Sequence, residues 1–151
     1  MKLTSAEKRD IARIRRDLSR TGPFRQMKQY IQHGQVTTYD HVTSVAGMSC
    51  KLGRLLHVKT DRDLMIRGAL LHDFYLYDWH SKRLAKLHGF YHPGIACRNA
   101  VREYGIDEKT QNLIHSHMWP MTITLLPKSR EAFLVSAADK LVSFHETLFR
   151  R

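Results

Sequence analysis

The chain has 151 residues, of which 25 are Lys or Arg and 14 are Asp or Glu, so its formal net charge is +11. A hydrophobic fraction of 42% favours a folded chain over a disordered one, and the length favours a single domain. The sequence contains no apolar run of the roughly 18 residues that span a membrane. It has only two cysteines and no apolar leader, so we expect a cytoplasmic protein with reduced thiols and no membrane partner.

The positive charge is concentrated at the N-terminus. Residues 1–30 hold nine basic and three acidic side chains, a net +6, while the rest of the chain carries +5. Such a segment is either the solvated face of a helix or a surface for nucleic acid. We therefore divide the chain into a basic helical segment, residues 1–34, and a second part, residues 35–151.

Helix caps, helix breakers and apolar spacing predict helices and no strand of useful length. Thr4 and Glu7 fit a capping box, and Gly105 is a natural helix end. The expected helices cover about residues 4–21, 24–32, 38–57, 61–78, 93–104, 107–119 and 129–149. Gly89 falls in the loop expected before the fifth helix. The sequence thus predicts an all-α fold, a single-domain bundle of about six to seven helices.

Two acidic residues occur inside apolar helical stretches. Asp73 follows Leu70-Leu71-His72, and Asp139 lies between Ala137-Ala138 and Leu141-Val142. Burying an isolated carboxylate costs several kcal/mol of free energy unless the carboxylate is paired with a cation or binds a metal. The alternatives are a salt bridge, for instance to Lys140 or Arg67, or a helix face that is exposed.

Histidines accompany these carboxylates at the ends and on the apolar faces of several predicted helices. A single histidine in such a place is more often a hydrogen-bonded core residue than a ligand. Five of them together, in a helix bundle that directs side chains inward, indicate a common centre. A mixed set of imidazole and carboxylate donors favours a divalent transition metal. The five are His41, His72, His92, His115 and His117.

The order of these residues resembles that of the HD-domain superfamily of metal-dependent phosphohydrolases, which is named after an adjacent His-Asp pair. The resemblance covers roughly residues 35–146, so the second part of the chain is expected to be an HD-type metal-binding helical domain. The segments His92-Pro93-Gly94-Ile95-Ala96 and Ile114-His115-Ser116-His117 are similar to the small bacterial hydrolases of symmetrical dinucleoside tetraphosphates. The residues after His117, Met118-Trp119-Pro120, differ from that group.

The resemblance implies a metal centre. Its expected ligands are His41, His72, Asp73, His92, His117 and Asp139. The first ion would be held by His41, His72, Asp73 and Asp139, and a second by His92 and His117 with Asp73 bridging. His117 is preferred over His115 because its distance to the following helix fits the family better. The cofactor is one or two divalent ions of Fe, Mn, Ni, Co or Zn, with Mg as a further option.

The same resemblance implies an enzyme in which water activated by a divalent metal attacks a phosphate ester or phosphoanhydride of a nucleotide-like substrate. His72 and Asp73 are then the expected catalytic residues. The substrate phosphate would meet cationic side chains, for which we select Arg67, Lys128, Arg130 and Lys140. His88 is treated as a surface histidine.

The alternative to an enzyme is a nucleic-acid-binding or regulatory module that uses the basic N-terminus and keeps a structural or vestigial metal site. The oligomeric state is left open, with a dimer as one option.

Overall fold

The computed structural model describes residues 1–80 and 87–149. These residues form six α-helices, a short 3₁₀ helix at Phe24–Gln29 and a two-stranded hairpin, which confirms the predicted all-α fold. The strands are β1 (Ile31–His33) and β2 (Val36–Thr37). The α-helices are α1 (Ser5–Thr21), α2 (Thr38–Leu55), α3 (Arg62–Leu71), α4 (His88–Tyr104), α5 (Glu108–Ser116) and α6 (Arg130–Phe149).

The helix ends follow their capping residues. Thr4 and Glu7 form the predicted capping box, with the Thr4 amide donating to the Glu7 carboxylate at 2.7 Å. Asp107 caps α5 through the Thr110 amide at 2.8 Å. Gly105 ends α4 with a φ of 56°, in the left-handed region that glycine enters without strain. Local sequence signals therefore fix the ends of the helices that lie away from the histidines.

Two helix ends beside the histidines differ from the prediction. The fourth expected helix, which corresponds to α3, is predicted to reach about Asp78, but α3 ends at Leu71. Beyond it, Leu76 has a positive φ of 58°, which a right-handed α-helix does not contain. The loop expected around Gly89 is helical instead, because α4 begins at His88. The helix N-terminal to Pro93 is supported by a side-chain bond, since His92 Nδ1 donates to the His88 carbonyl at 2.8 Å.

The hairpin between the 3₁₀ helix and α2 was not predicted. Its two strands pair antiparallel across a turn in which Gly34 has a φ of 56°. With strands of three and two residues, the hairpin is too short to produce a clear alternating pattern. It turns Gln32 into the interior, where this side chain is buried.

A single apolar core joins both parts of the chain. Helix α2 packs against α1, α3 and α6, and the core contains Ile11, Ile14 and Leu18 of α1 together with residues from all the other α-helices. The division at residue 34 stays a prediction, and the apolar residues on its two sides share this core. Within the described part of the chain, no helix combines the length and hydropathy required to cross a bilayer.

Candidate metal centre

The six predicted ligands lie on five helices or just after them, and they meet in one buried cluster. His41 lies in the first turn of α2, and Asp139 lies in the middle of α6. His72 and Asp73 directly follow α3, His92 lies on α4, and His117 directly follows α5. The exposed fraction of these residues is between 0% and 7%. His115, the alternative to His117, is exposed and lies near Gly94.

Asp73 stands between two groups of histidines. Its Oδ2 lies 3.3 Å from His72 Nε2 and 3.6 Å from His41 Nε2. Its Oδ1 lies 3.1 Å from His92 Nε2 and 3.5 Å from His117 Nε2. On the first side, the Oδ1 atom of Asp139 adds a further oxygen, 3.1 Å from His41 Nε2 and 3.6 Å from His72 Nε2. The cluster therefore has two lobes that share one carboxylate.

Hydrogen bonds on the outer side of the rings define the tautomer of three histidines. The Nδ1 atoms of His72, His92 and His117 lie 2.7, 2.8 and 2.7 Å from backbone carbonyl oxygens. A carbonyl oxygen only accepts, so each Nδ1 carries a hydrogen, and when the ring is neutral it presents the lone pair of Nε2 to the cluster. Metal-binding histidines are oriented by outer hydrogen bonds of this kind.

Some inner atoms of the cluster lack hydrogen-bond partners of the usual kind. His92 Nε2 and His117 Nε2 face each other at 2.8 Å, which is a contact between two acceptors unless a proton or a cation lies near them. Among the described residues, His72 Nε2 and Asp73 Oδ1 have no hydrogen-bond partner. Because orphaned buried acceptors are rare in folded proteins, the donor set fits a group of positive charge, as a divalent transition metal supplies.

The electrostatics of the cluster also favour cations. Burial alone would lower the pKa of His41, but hydrogen bonds with Asp139 and Glu146 raise it to about 9. Burial opposes ionisation of Asp73, yet His72 and His92 hold its pKa well below the usual range. By contrast, burial and the neighbouring imidazoles lower the pKa of His117 to about 3. Charged carboxylates thus draw protons onto some histidines, and a metal ion would compete with these protons for the histidine nitrogens.

Several residues around the cluster were missed by sequence reasoning. Gln32 of β1 donates from Nε2 to Asp73 Oδ2 at 2.7 Å, and its Oε1 accepts from the Tyr75 hydroxyl. Glu146 lies 2.8 Å from His41 Nδ1. His88 is buried rather than on the surface, because its ring is stacked between Trp79 and His92. Nothing in the local sequence marks Gln32 or Glu146, since their partners are far away in the sequence, whereas His88 lies one turn before His92 on a helix that begins earlier than predicted.

A cavity of about 350 Å³ opens onto the cluster. Asp73, His92, His117 and Asp139 lie on its polar side, and Lys140 is beside them. Its apolar wall is formed by Trp79, Met118 and Met121. The cavity could therefore receive a small molecule in contact with the metal-binding groups.

Of the four cationic residues predicted to bind substrate, the structure brings only Lys140 to this cavity. Its Nζ donates to the His117 carbonyl at 2.9 Å and to Ser136 O and Oγ at 3.2 and 3.0 Å. Lys128 and Arg130 line a different cavity next to Lys59. Arg67 is half-buried on α3 and does not line the cavity at the cluster.

Comparison with known families identifies a domain that spans the histidines and aspartates of the cluster. The family model described as the HD domain matches residues 38–143, which is more than two thirds of the chain. No curated protein and no solved structure matches the chain significantly.

Proposed function

The chain belongs to the HD-domain family, and from this premise we propose that it is a metal-dependent phosphohydrolase acting on a phosphate ester or phosphoanhydride of a nucleotide-like substrate. One observation carries the proposal. The carboxylates of Asp73, Asp139 and Glu146 are buried around four imidazoles, and none of them is paired with a Lys or Arg side chain of the described residues. Divalent cations would neutralise this charge and satisfy the inward lone pairs.

The two lobes suggest how the ligands divide. His41, His72 and Asp139, with Oδ2 of Asp73, would hold one ion, and His92 and His117, with Oδ1 of Asp73, would hold a second. Imidazole donors favour Fe, Mn, Co, Ni or Zn over Mg at these positions. A divalent ion bound there supplies Lewis acidity, which lowers the pKa of water and offsets negative charge on a phosphoryl group.

The residues of the chain prepare the site in three ways. Backbone carbonyls orient His72, His92 and His117, and Gln32 fixes the Asp73 carboxylate. Burial keeps bulk water away from the donors and strengthens their electrostatic interactions. The apolar wall supports a substrate that carries a planar or apolar group next to its phosphate, as nucleotides do.

The test is a phosphate-release screen of the full chain, stripped of metal and then reconstituted with Mn²⁺ or Fe²⁺. The substrates are nucleoside monophosphates, dinucleoside tetraphosphates and cyclic dinucleotides. We expect metal-dependent turnover of one class, lost in Asp73→Asn and kept in the matched control Asp78→Asn, an exposed carboxylate. Turnover that survives Asp73→Asn, or its absence with every substrate and both metals, contradicts the proposal.

A second candidate function, nucleic-acid binding, is favoured by one face of α1. Arg9, Arg13, Arg16 and Arg20 are exposed and lie opposite the buried residues of this helix. Of these four, only Arg13 pairs with an acid among the described residues. The test is binding of a short single-stranded oligonucleotide, which should weaken steeply with salt and disappear in Arg16→Glu/Arg20→Glu. Binding that is insensitive to salt or to this variant rules the candidate out.

A further inference from the structure

Glu146 is a buried carboxylate of α6 that lies outside the residues matched by the family model. It follows Asp139 by seven residues, so both carboxylates lie on the same side of the helix. Its exposed fraction is 2%, and its Oε2 lies 2.8 Å from His41 Nδ1. Its other oxygen, Oε1, has no hydrogen-bond partner among the described residues. A carboxylate so deeply buried with one free oxygen is costly, so the packing of the helix alone does not account for it.

The partner of Glu146 sets His41 apart from the other histidines of the cluster. His72, His92 and His117 are each held by a backbone carbonyl. His41 is held by a carboxylate, while its Nε2 points to Asp139 at 3.1 Å. A carboxylate that accepts a hydrogen bond from the outer nitrogen of a ligating histidine fixes the tautomer and makes the inner nitrogen a stronger donor.

We propose that Glu146 is a positioning residue for the metal centre. It holds the His41 ring with Nε2 directed toward Asp73 and Asp139, and its negative charge strengthens the binding of the ion in that lobe. The second lobe, formed by His92, His117 and Oδ1 of Asp73, is independent of this contact. The inference rests on the proposed function, because it assumes that His41 is a ligand.

The alternative is that Glu146 only stabilises the fold. Glu146→Gln separates the two roles, because the amide has nearly the same shape and its oxygen can still accept from His41 Nδ1, while the charge is lost. Glu7→Gln is the matched control. Glu7 is also buried, at 3% exposure, and its carboxylate pairs with Arg54 and caps α1, away from the cluster.

The experiment is a calorimetric titration of Mn²⁺ into the metal-stripped full chain, with thermal unfolding recorded for each variant. We expect two Mn²⁺ sites in the unaltered chain. In Glu146→Gln, one of them should weaken by about 10–100-fold, the range found for outer ligand-orienting residues, and the other should stay within about twofold. Glu7→Gln should lower the melting temperature and leave both affinities unchanged.

Three results would overturn the inference. If Glu146→Gln binds Mn²⁺ at both sites with affinities within about twofold of the unaltered chain, Glu146 is structural and the proposed function stands. Equal weakening at both sites means that its effect is not exerted through His41. A chain that binds no Mn²⁺ before any substitution removes the proposed function, and this inference with it. Glu146→Leu, which removes both charge and acceptor, should weaken the same site further than Glu146→Gln.

Discussion

The chemistry of each of the four histidines of the cluster depends on the partner of its outer nitrogen. The order of the histidines and aspartates, together with its resemblance to the HD-domain superfamily, predicted which residues meet. This order could not predict Gln32 or Glu146, whose partners Asp73 and His41 are 41 and 105 residues away in the sequence. Contacts at that separation are decided by packing rather than by local pattern.

Lys140 shows how hydrogen bonds within the protein change the role of a charged residue. The sequence predicts that it binds phosphate, but its ammonium group is already shared among three oxygen acceptors at the junction of α5 and α6. Burial also lowers its pKa. The side chain therefore stabilises the backbone at His117 whether or not it also contacts a substrate.

We expect Lys140→Met to lower the free energy of unfolding by about 1.5–3 kcal/mol, since hydrogen bonds to charged groups contribute about that much. Urea unfolding measures the change. Lys128→Met is the control, because the Lys128 side chain is also exposed but makes no hydrogen bond among the described residues, and it should alter stability by less than about 0.5 kcal/mol. Unchanged stability of Lys140→Met together with a raised KM would instead assign Lys140 to substrate binding.

At the scale of the helix, caps and apolar spacing predicted the elements but not the ends that form the centre. α3 stops at Leu71, so that His72 and Asp73 leave the helix and turn into the cluster, and α4 starts at His88, so that His92 is held one turn later. Propensity is decided locally, whereas side-chain hydrogen bonds stabilise the backbone at these ends. Asn99 of α4 donates to the carbonyls of Phe74 and Tyr75 beyond the end of α3, and His92 donates to the carbonyl of His88. Sequence reasoning therefore failed where tertiary contacts replace local ones.

The close approach of α3 and α5 depends on Gly68. A Cβ atom at this position would lie 2.6 Å from Leu113 Cδ1, and Leu113 is fully buried. Gly68→Ala should therefore separate the two helices and lower the free energy of unfolding by about 1–3 kcal/mol, the usual cost of overpacking. It should also reduce metal-dependent activity, because Asp73 and His117 lie just after the C-terminal ends of these two helices.

Gly53→Ala in α2 is the matched control, since its added Cβ would lie 3.6 Å from Leu134 Cδ1, an ordinary contact. This substitution should be neutral or stabilising by up to about 1 kcal/mol, because alanine favours the helix. Both variants are measured by urea unfolding. Equal stability of Gly68→Ala and Gly53→Ala would contradict the close packing of α3 on α5.

The charge of the whole molecule is divided between surface and centre. The net charge of +11 comes mainly from side chains at the surface, and its largest share is in the first 30 residues. The interior holds the buried acids of the cluster, whose negative charge draws protons onto His41 and His72 and is balanced by them when no metal is bound. The histidine content was therefore a better guide to function than the net charge.

This balance predicts opposite pH dependences for the metal-free and the metal-loaded protein. The pKa of His41 is raised from 6.5 to about 9, and that of His72 is raised as well, so the folded metal-free state binds more protons than the unfolded state in this range. The stabilisation is complete below pH 6.5 and is lost as the pH rises toward about 9.

In the metal-loaded protein, stability should rise over the same range, because protons compete with the ion for the same nitrogens. Urea unfolding of both forms at several pH values between 6.5 and 9 measures the two slopes. Parallel slopes would show that the histidines of the cluster do not exchange protons for metal.

Anomalous diffraction from crystals of the full chain grown with Mn²⁺ tests the metal centre most directly. The predicted result is two anomalous peaks, one in contact with His41, His72 and Asp139 and the other with His92 and His117, with Asp73 reaching both. Crystals that contain Mn²⁺ but show no peak at this cluster would contradict the assignment of these residues as a metal centre.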